Sequence, residues 1–405
     1  MKILFITAWY PTKQNPVSGI FIQEHAKAVA VFGDEIIIIH SERGKTHTKG
    51  PYEFSDTLEN GIRTIRISYF HSPFRLINYL IYLWSILKVS QKLIRGGFRP
   101  EVIHAHIYSA GVPAVIIGRL YGIPVVISEH WSGFPLRELT LMEKTMARFA
   151  MNHAQWILPV SHNLQKGIEA YGIRGRFKVI PNVVDTALFY PRKNDQKDID
   201  KKRILFVGLL NPIKGMPYLF KALAQLRKKQ YDWQLDIVGD GPARMEYEHL
   251  VADMGLADKV IFHGFRSKKE VAGFMRKADL FVLPSLFETF SIVTAEALAT
   301  GIPVLATSCG GPEEFITNDV GLIVPPGDTE ALSNGLDYML NHLRNYASGQ
   351  ISLYATERFG FERIGKQLHT IYSACAIEHG GGNENASRAE TNYLEHEQVP
   401  ILIDQ

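Results

Sequence analysis

Two glutamates, Glu288 and Glu296, stand eight residues apart in "LFVLPSLFETFSIVTAEALATGIPVLAT". The stretch reads as a strand "LFVLPS", a loop "LFET" and a helix "SIVTAEALAT", with Ser291 at the N-cap and Gly301 as its stop. Glu288 then lies in the loop and Glu296 just over one turn inside the helix. A helix N-terminus at the carboxyl edge of a parallel sheet presents free N–H groups and the positive end of the peptide dipoles, which suits a phosphate. The expected donors are the amides of Phe290, Ser291 and Ile292. Flanking carboxylates repel a phosphate but accept hydrogen bonds from vicinal hydroxyls, as on a ribose or hexose. The pair therefore suggests a ligand with sugar on both sides of a phosphate. On spacing alone, two solvated surface glutamates are the commoner explanation.

The elements that must hold these residues recur along the chain. A length of 405 residues exceeds what one core organises, so two domains of roughly 150 to 200 residues are expected. In the first half, "KILFIT", "EIIIIH", "RTIRIS", "VIHAH", "PVVISE", "WILPVS" and "KVIPN" read as strands separated by helices. In the second half, "ILFVG", "LDIVG", "VIFHG", "LFVLP", "PVLAT" and "GLIVP" repeat the pattern. Apolar strands alternating with helices indicate doubly wound parallel sheets, with a cleft expected between the two domains and ligands beyond the strands' carboxyl ends. "TERFGFERIGKQLHTIYSAC" reads as a terminal helix.

Composition sets outer bounds. Apolar residues at 46% and charged residues at 21% are ordinary globular usage, which argues against disorder, collagen or an integral membrane protein. The two cysteines, Cys309 and Cys375, have no zinc-like spacing and fit a reducing cytoplasm. "MKILFITAWYPT" reads as a first strand in preference to a signal peptide. No apolar run of about 18 residues predicts a transmembrane helix. Between Gly61 and Pro100 stand Arg63, Arg66, Arg75, Lys88, Lys92, Arg95 and Arg99 with no acidic residue. That run is either a helix with solvated basic ends or a surface that rests on anionic headgroups. No nucleic-acid module accompanies it.

"FVGLLNPIKGMPYLFKAL", "LDIVGDGPARMEYE", "VIFHGF", the two-glutamate segment, "GIPVLATSCGGPEEFI" and "VGLIVPPGDTEAL" follow in that order, after "YPTKQNPVSGIFIQEHAKAVA", "SEHW" and "IPNVVDTALFYP". This series, covering most of the chain, resembles the family-four retaining glycosyltransferases (glycosyl transferases group 1). The resemblance implies the GT-B architecture: two Rossmann-like domains facing across a cleft. Residues 1–190 would form the acceptor-side domain, 191–202 a charged linker and 203–358 the nucleotide-sugar domain. A helix over 359–378 would pack back toward the N-terminal domain, and 379–405 would be a tail without fixed structure.

The family's roles map onto particular residues here. Glu296 would bind the nucleotide ribose, Glu288 the transferred sugar and Lys214 the diphosphate. Gly19 would let its loop approach the diphosphate closely, since it has no Cβ. His130, at the end of "PVVISEH", would meet a hydroxyl of the transferred sugar. His104 and His106 share a strand face and could line the acceptor side or serve structure alone. Asn182 and Asp185 read as boundary turn residues. The chain departs from the family at Leu209, where many members carry a second diphosphate-binding arginine; Arg266 is a candidate substitute.

The implied reaction moves a sugar from a nucleotide-diphosphate sugar to a glycan, lipid-linked glycan or glycolipid, in surface polysaccharide synthesis. It would need no cofactor or metal, because helix amides and a lysine stabilise the leaving diphosphate. "DID" at 198–200 has metal-site spacing but falls in the charged linker. The expected place is the cytoplasm, at the inner membrane face, with no nucleic-acid partner. The competing readings are a nucleotide-sugar epimerase on the same scaffold and a catalytically silent nucleotide-binding subunit. A nicotinamide enzyme is disfavoured, because "GDGPAR" supplies only part of a dinucleotide fingerprint.

Overall fold

Alternating buried strands and amphipathic helices build two separate α/β units. The computed structural model describes residues 1–12, 15–43, 52–69, 72–192, 201–227 and 232–379. Residues 193–200 of the expected linker, with "DID", and the expected tail from 380 onward lie outside them.

The N-terminal unit takes in Met1–Val183 and the helix from Phe361. Its strands are β1 (Lys2–Thr7), β2 (Glu35–Arg43), β3 (Tyr52–Glu59), β4 (Ile62–Tyr69), β5 (Val102–His106), β6 (Val125–Glu129) and β7 (Trp156–Pro159). Its helices are α1 (Ile20–Ala30), α2 (Arg75–Arg95), α3 (Tyr108–Tyr121), α4 (Leu141–Met151), α5 (His162–Glu169) and, after the second unit, α12 (Phe361–His379). The sheet order is β3-β4-β2-β1-β5-β6-β7. All neighbours are parallel except β3 and β4, which pair antiparallel. In that edge hairpin β4 contains the expected "RTIRIS" and only β3 was not among the strands expected above; it turns at Asn60–Gly61, both at positive φ as a two-residue hairpin requires. "KVIPN" forms no strand: Phe177 makes an isolated bridge to Ile157, and Pro181 has no N–H to extend a ladder.

The C-terminal unit runs from Val184 to Gly360. It holds β8 (Lys201–Val207), β9 (Asp232–Val238), β10 (Val260–Gly264), β11 (Leu280–Leu283), β12 (Val304–Thr307) and β13 (Gly321–Val324). Between and after them come α6 (Met216–Leu226), α7 (Arg244–Asp253), α8 (Lys268–Lys277), α9 (Ile292–Ala299), α10 (Thr329–His342) and α11 (Ser348–Phe359). The all-parallel order β10-β9-β8-β11-β12-β13 is the doubly wound one, with its reversal between β8 and β11. Its core packs Phe206, Phe220, Trp233 and Tyr247 among leucines and valines.

The units exchange at Val183 and Val184, ahead of the charged segment at 191–202, because the chain already packs into the second unit there. Leu188 gives its carbonyl to Arg276 at 3.1 Å, and Phe189 is buried beneath Lys268. The helix expected over 359–378 is α12, while the stretch "TERFGFERIGKQLHTIYSAC" begins in the end of α11. Gly360 is extended at the break, and a Cβ there would stand 2.6 Å from the Thr356 carbonyl oxygen. Beyond it, α12 packs on α1, joined by His369 to Asp34 at 2.8 Å and by Tyr372 to His104 at 2.6 Å.

Candidate functional site

The reversal between β8 and β11 is where a doubly wound sheet opens a crevice beyond its strand ends, and both loops that border it carry charge. After β8, a short 3-10 turn at Pro212–Lys214 ends in Gly215, whose left-handed φ of 65° leads into α6. After β11 comes the Ser285–Phe290 loop. The two are tied by the Leu286 amide, which donates to the Ile213 carbonyl at 2.8 Å. Lys214 Nζ then donates to Glu288 Oε1 at 2.6 Å, and Ser285 Oγ donates to the same oxygen at 2.8 Å. Sequence reading placed Lys214 and Glu288 in one site but not in contact.

The helix N-terminus lies where it was expected, with one correction. Ser291 occupies the N-cap position of α9, but its hydroxyl meets Thr294 Oγ1 at 2.8 Å instead of capping a backbone amide. Its φ of 70° is left-handed, an uncommon state for a residue with a Cβ. The amides of Phe290, Ser291 and Ile292 precede the first intrahelical bond, from Thr294 N to Ser291 O. The Phe290 ring itself packs with Phe315 and Phe359, so its contribution to a ligand is its backbone. Gly311 presses on that backbone: a Cβ there would stand 2.6 Å from Phe290 N. Glu296 is buried inside α9, with Lys268 Nζ 3.9 Å away, a neighbour that the sequence did not single out. Leu209 is exposed, and Arg266 reaches its neighbours Phe265 and Glu270.

The N-terminal unit brings a second group together at its own reversal, between β1 and β5. Gly19, at φ 64°, precedes α1, and a Cβ on it would lie 2.6 Å from the Trp9 carbonyl. The close approach that the structure shows for Gly19 is to the chain's own Trp9–Tyr10 backbone. His130 follows β6 directly and is buried, with its ring 4.2 Å from that of Phe21 and Asn182 beside it. His106 Nδ1 and His130 Nε2 stand 3.4 Å apart. His104 shares the face of His106 but is bonded to Tyr372 and Ser128, a structural role. Asp185 accepts the amides of Ala187 and Leu188, as a turn residue does.

Among the described residues, the one His/Cys/Asp/Glu group converging closely enough to hold a metal ion is His25, His106 and His130, with one nitrogen from each within 4.8 Å. Burial holds all three rings neutral, His25 down to about 4 and the other two well below the usual imidazole value. His25 gives Nε2 to the Pro181 carbonyl at 3.1 Å and has the Phe21 carbonyl near its ring. The geometry is that of packed neutral imidazoles.

Over most of its length the chain matches solved glycosyltransferases in fold. The HepE protein of Anabaena, solved in complex with UDP and glucose, matches with a TM-score of 0.72 and 22% identity, over 92% of this chain and 100% of that one. The fold is GT-B, and the protein is a glycosyltransferase. The model of Glycosyltransferase Family 4 matches residues 18–188, and that of glycosyl transferases group 1 matches 191–348. The chain belongs to this family through both of its units. An uncharacterised glycosyltransferase of Methanocaldococcus jannaschii is 27% identical over 92% of this chain and 98% of its own. A putative teichuronic acid biosynthesis glycosyltransferase, TuaC of Bacillus subtilis, is 27% identical over 83% of this chain and 88% of its own.

Proposed function

We propose that the enzyme transfers a sugar from a nucleotide-diphosphate sugar, with retention and without a metal, to a glycan or lipid-linked acceptor of a surface polysaccharide. The observation that carries this reading is the Lys214–Glu288 pair beside the N-terminus of α9, with Glu296 inside that helix. Lys214 and the amides of Phe290, Ser291 and Ile292 receive the diphosphate, where charge builds as the glycosidic bond breaks. Glu296 accepts the ribose hydroxyls, and Glu288 the hydroxyls of the transferred sugar. His130 donates to or accepts from a hydroxyl of that sugar, and Gly19 keeps its loop narrow beside the diphosphate. The incoming hydroxyl attacks the anomeric carbon from the face the phosphate leaves, and its proton passes to a phosphate oxygen. No protein nucleophile takes part. Support for the donor class comes from the UDP and glucose in the Anabaena protein, and for the acceptor class from TuaC, a putative glycosyltransferase of teichuronic acid biosynthesis.

Incubation with a panel of nucleotide sugars and lipid-linked acceptors tests the reading, with binding of each nucleoside diphosphate read as a rise in melting temperature. Glu296→Ala is expected to abolish that rise while the unliganded protein still melts cooperatively. Conversion of the donor with no acceptor present would favour the epimerase, and binding without turnover the silent subunit.

We also propose that the enzyme works at an anionic membrane surface, from the cytoplasmic side. One face of α2 carries exposed Leu76, Ile77, Leu80 and Trp84, then exposed Lys88, Lys92 and Arg95 at helical spacing. No helix among the described residues is long and apolar enough to cross a membrane. Binding to vesicles with anionic lipid should exceed binding to neutral ones and weaken as salt is raised past the point where the Debye length is about 8 Å. Equal partitioning to both vesicles would remove the electrostatic part.

A further inference from the structure

Glu129 is the last residue of β6 and has no exposed surface. Its carboxylate is spent entirely on backbone. Oε1 accepts the amides of His130 at 2.9 Å and Trp131 at 3.0 Å, and Oε2 accepts the amide of Tyr108 at 2.9 Å. Tyr108 is the first residue of α3, and its N–H is one of the orphan donors that every helix start leaves. The preceding residue, Ile107, stands at φ 74°, a genuine outlier for a β-branched side chain. One buried carboxylate thus joins a strained turn after β5 to the turn after β6. His106, the last residue of β5, leads into the first turn and His130 stands in the second, and their ring nitrogens meet at 3.4 Å.

We propose that Glu129 is a positioning residue: it clamps the two strand-end turns and thereby fixes the orientation of His130 toward the transferred sugar. The second half of that statement rests on the function proposed above. Burial pushes the carboxyl up to about 7 against the three amides that favour its ionised form. A neutral amide of the same shape is the informative replacement, because it sets an N–H₂ group against at least one of the backbone donors.

In Glu129→Gln, amide exchange at Tyr108, His130 and Trp131, followed by NMR, is expected to quicken about ten-fold or more. The Ile107 amide, held by the Ser128 carbonyl at 2.8 Å, should change little. The His130 ring resonances should shift. For transfer, kcat should fall about ten-fold with the donor KM nearly unchanged, since a small misplacement of an orienting group costs that much. In the Glu129→Gln/His130→Ala pair the two losses should not multiply, because one acts through the other. Losses that do multiply would mean a general loss of active protein and would overturn the proposal. So would unchanged exchange at the three amides with unmoved His130 resonances. If the wild type transfers no sugar at all, the proposed function fails, and exchange and ring resonances still judge the clamp. Should Glu129→Gln not fold, Glu129→Asp, which keeps the carboxylate but shortens its reach to the three amides, gives the same readouts at Tyr108, His130 and Trp131.

Discussion

Lys214→Met should lower kcat/KM for the nucleotide sugar about 10³-fold, the cost of removing a preorganised charge from a developing oxyanion. The same change should destabilise the C-terminal unit by about 3 kcal/mol, because it strands a carboxylate in a half-buried ion pair. Lys214 and Glu288 side chains are 20% and 12% exposed, so solvent screens their 2.6 Å contact only weakly. With the lysine gone, Glu288 keeps the Ser285 hydroxyl, a neutral donor in place of a cation. For a unit of this size each kcal/mol is roughly 2–4 °C, so the melting temperature should drop by about 6–12 °C. The two effects separate in the double variant. Adding Glu288→Gln removes the stranded charge and should restore most of the stability, since both partners are then neutral. It should restore none of the activity. Calorimetry on the two single variants and the double variant, with initial rates on the same preparations, reads both. Melting losses that simply add would show that the pair is not coupled, and wild-type kcat/KM in Lys214→Met would take the lysine off the diphosphate.

What the sequence made legible follows from what is local. All six strands of the C-terminal unit are short apolar runs between turn residues, a pattern that needs no tertiary knowledge. β3, "YEFSDTLE", escaped because it is an exposed edge strand, where polar side chains on most positions erase the alternation. The Asn60–Gly61 dipeptide at its turn is the one local signal for it, and it was not read. The break at Gly360 escaped because glycine inside an otherwise helical pattern is only a weak stop. In the site, the order of motifs brought Lys214, Glu288 and Glu296 together, since loops after adjacent strands of a doubly wound sheet must converge. The direct Lys214–Glu288 bond spans 74 residues of sequence, and no local signal encodes it. Lys268 beside Glu296, and Glu129 with its three amides, were missed for the same reason. A buried carboxylate satisfied by backbone has no charged partner whose spacing could betray it.

Gly215→Ala should be the most damaging single methyl in the C-terminal unit, costing about 4 kcal/mol or more from a left-handed backbone plus overpacking. Gly215 stands at φ 65° between the Pro212–Lys214 turn and α6. A Cβ there would overlap the carbonyl oxygen of Pro284, which is backbone and cannot rotate away. Relief requires the β8 and β11 loops to part. Those are the loops joined by Leu286 N to Ile213 O and by Lys214 to Glu288, with Ser285 next to the overlapped carbonyl. Stability and chemistry should therefore fail together, unlike the Lys214→Met and Glu288→Gln pair. Gly273, inside α8, is the matched control: nothing lies within 4 Å of its added Cβ. Gly273→Ala should gain about 0.5–1 kcal/mol from helix propensity alone. Melting curves of the two alanine variants, together with rates for whatever folds, decide the matter. A Gly215→Ala protein that melts with the wild type and transfers sugar at its rate would mean that the two loops can separate freely, and that their close contact does not set the site.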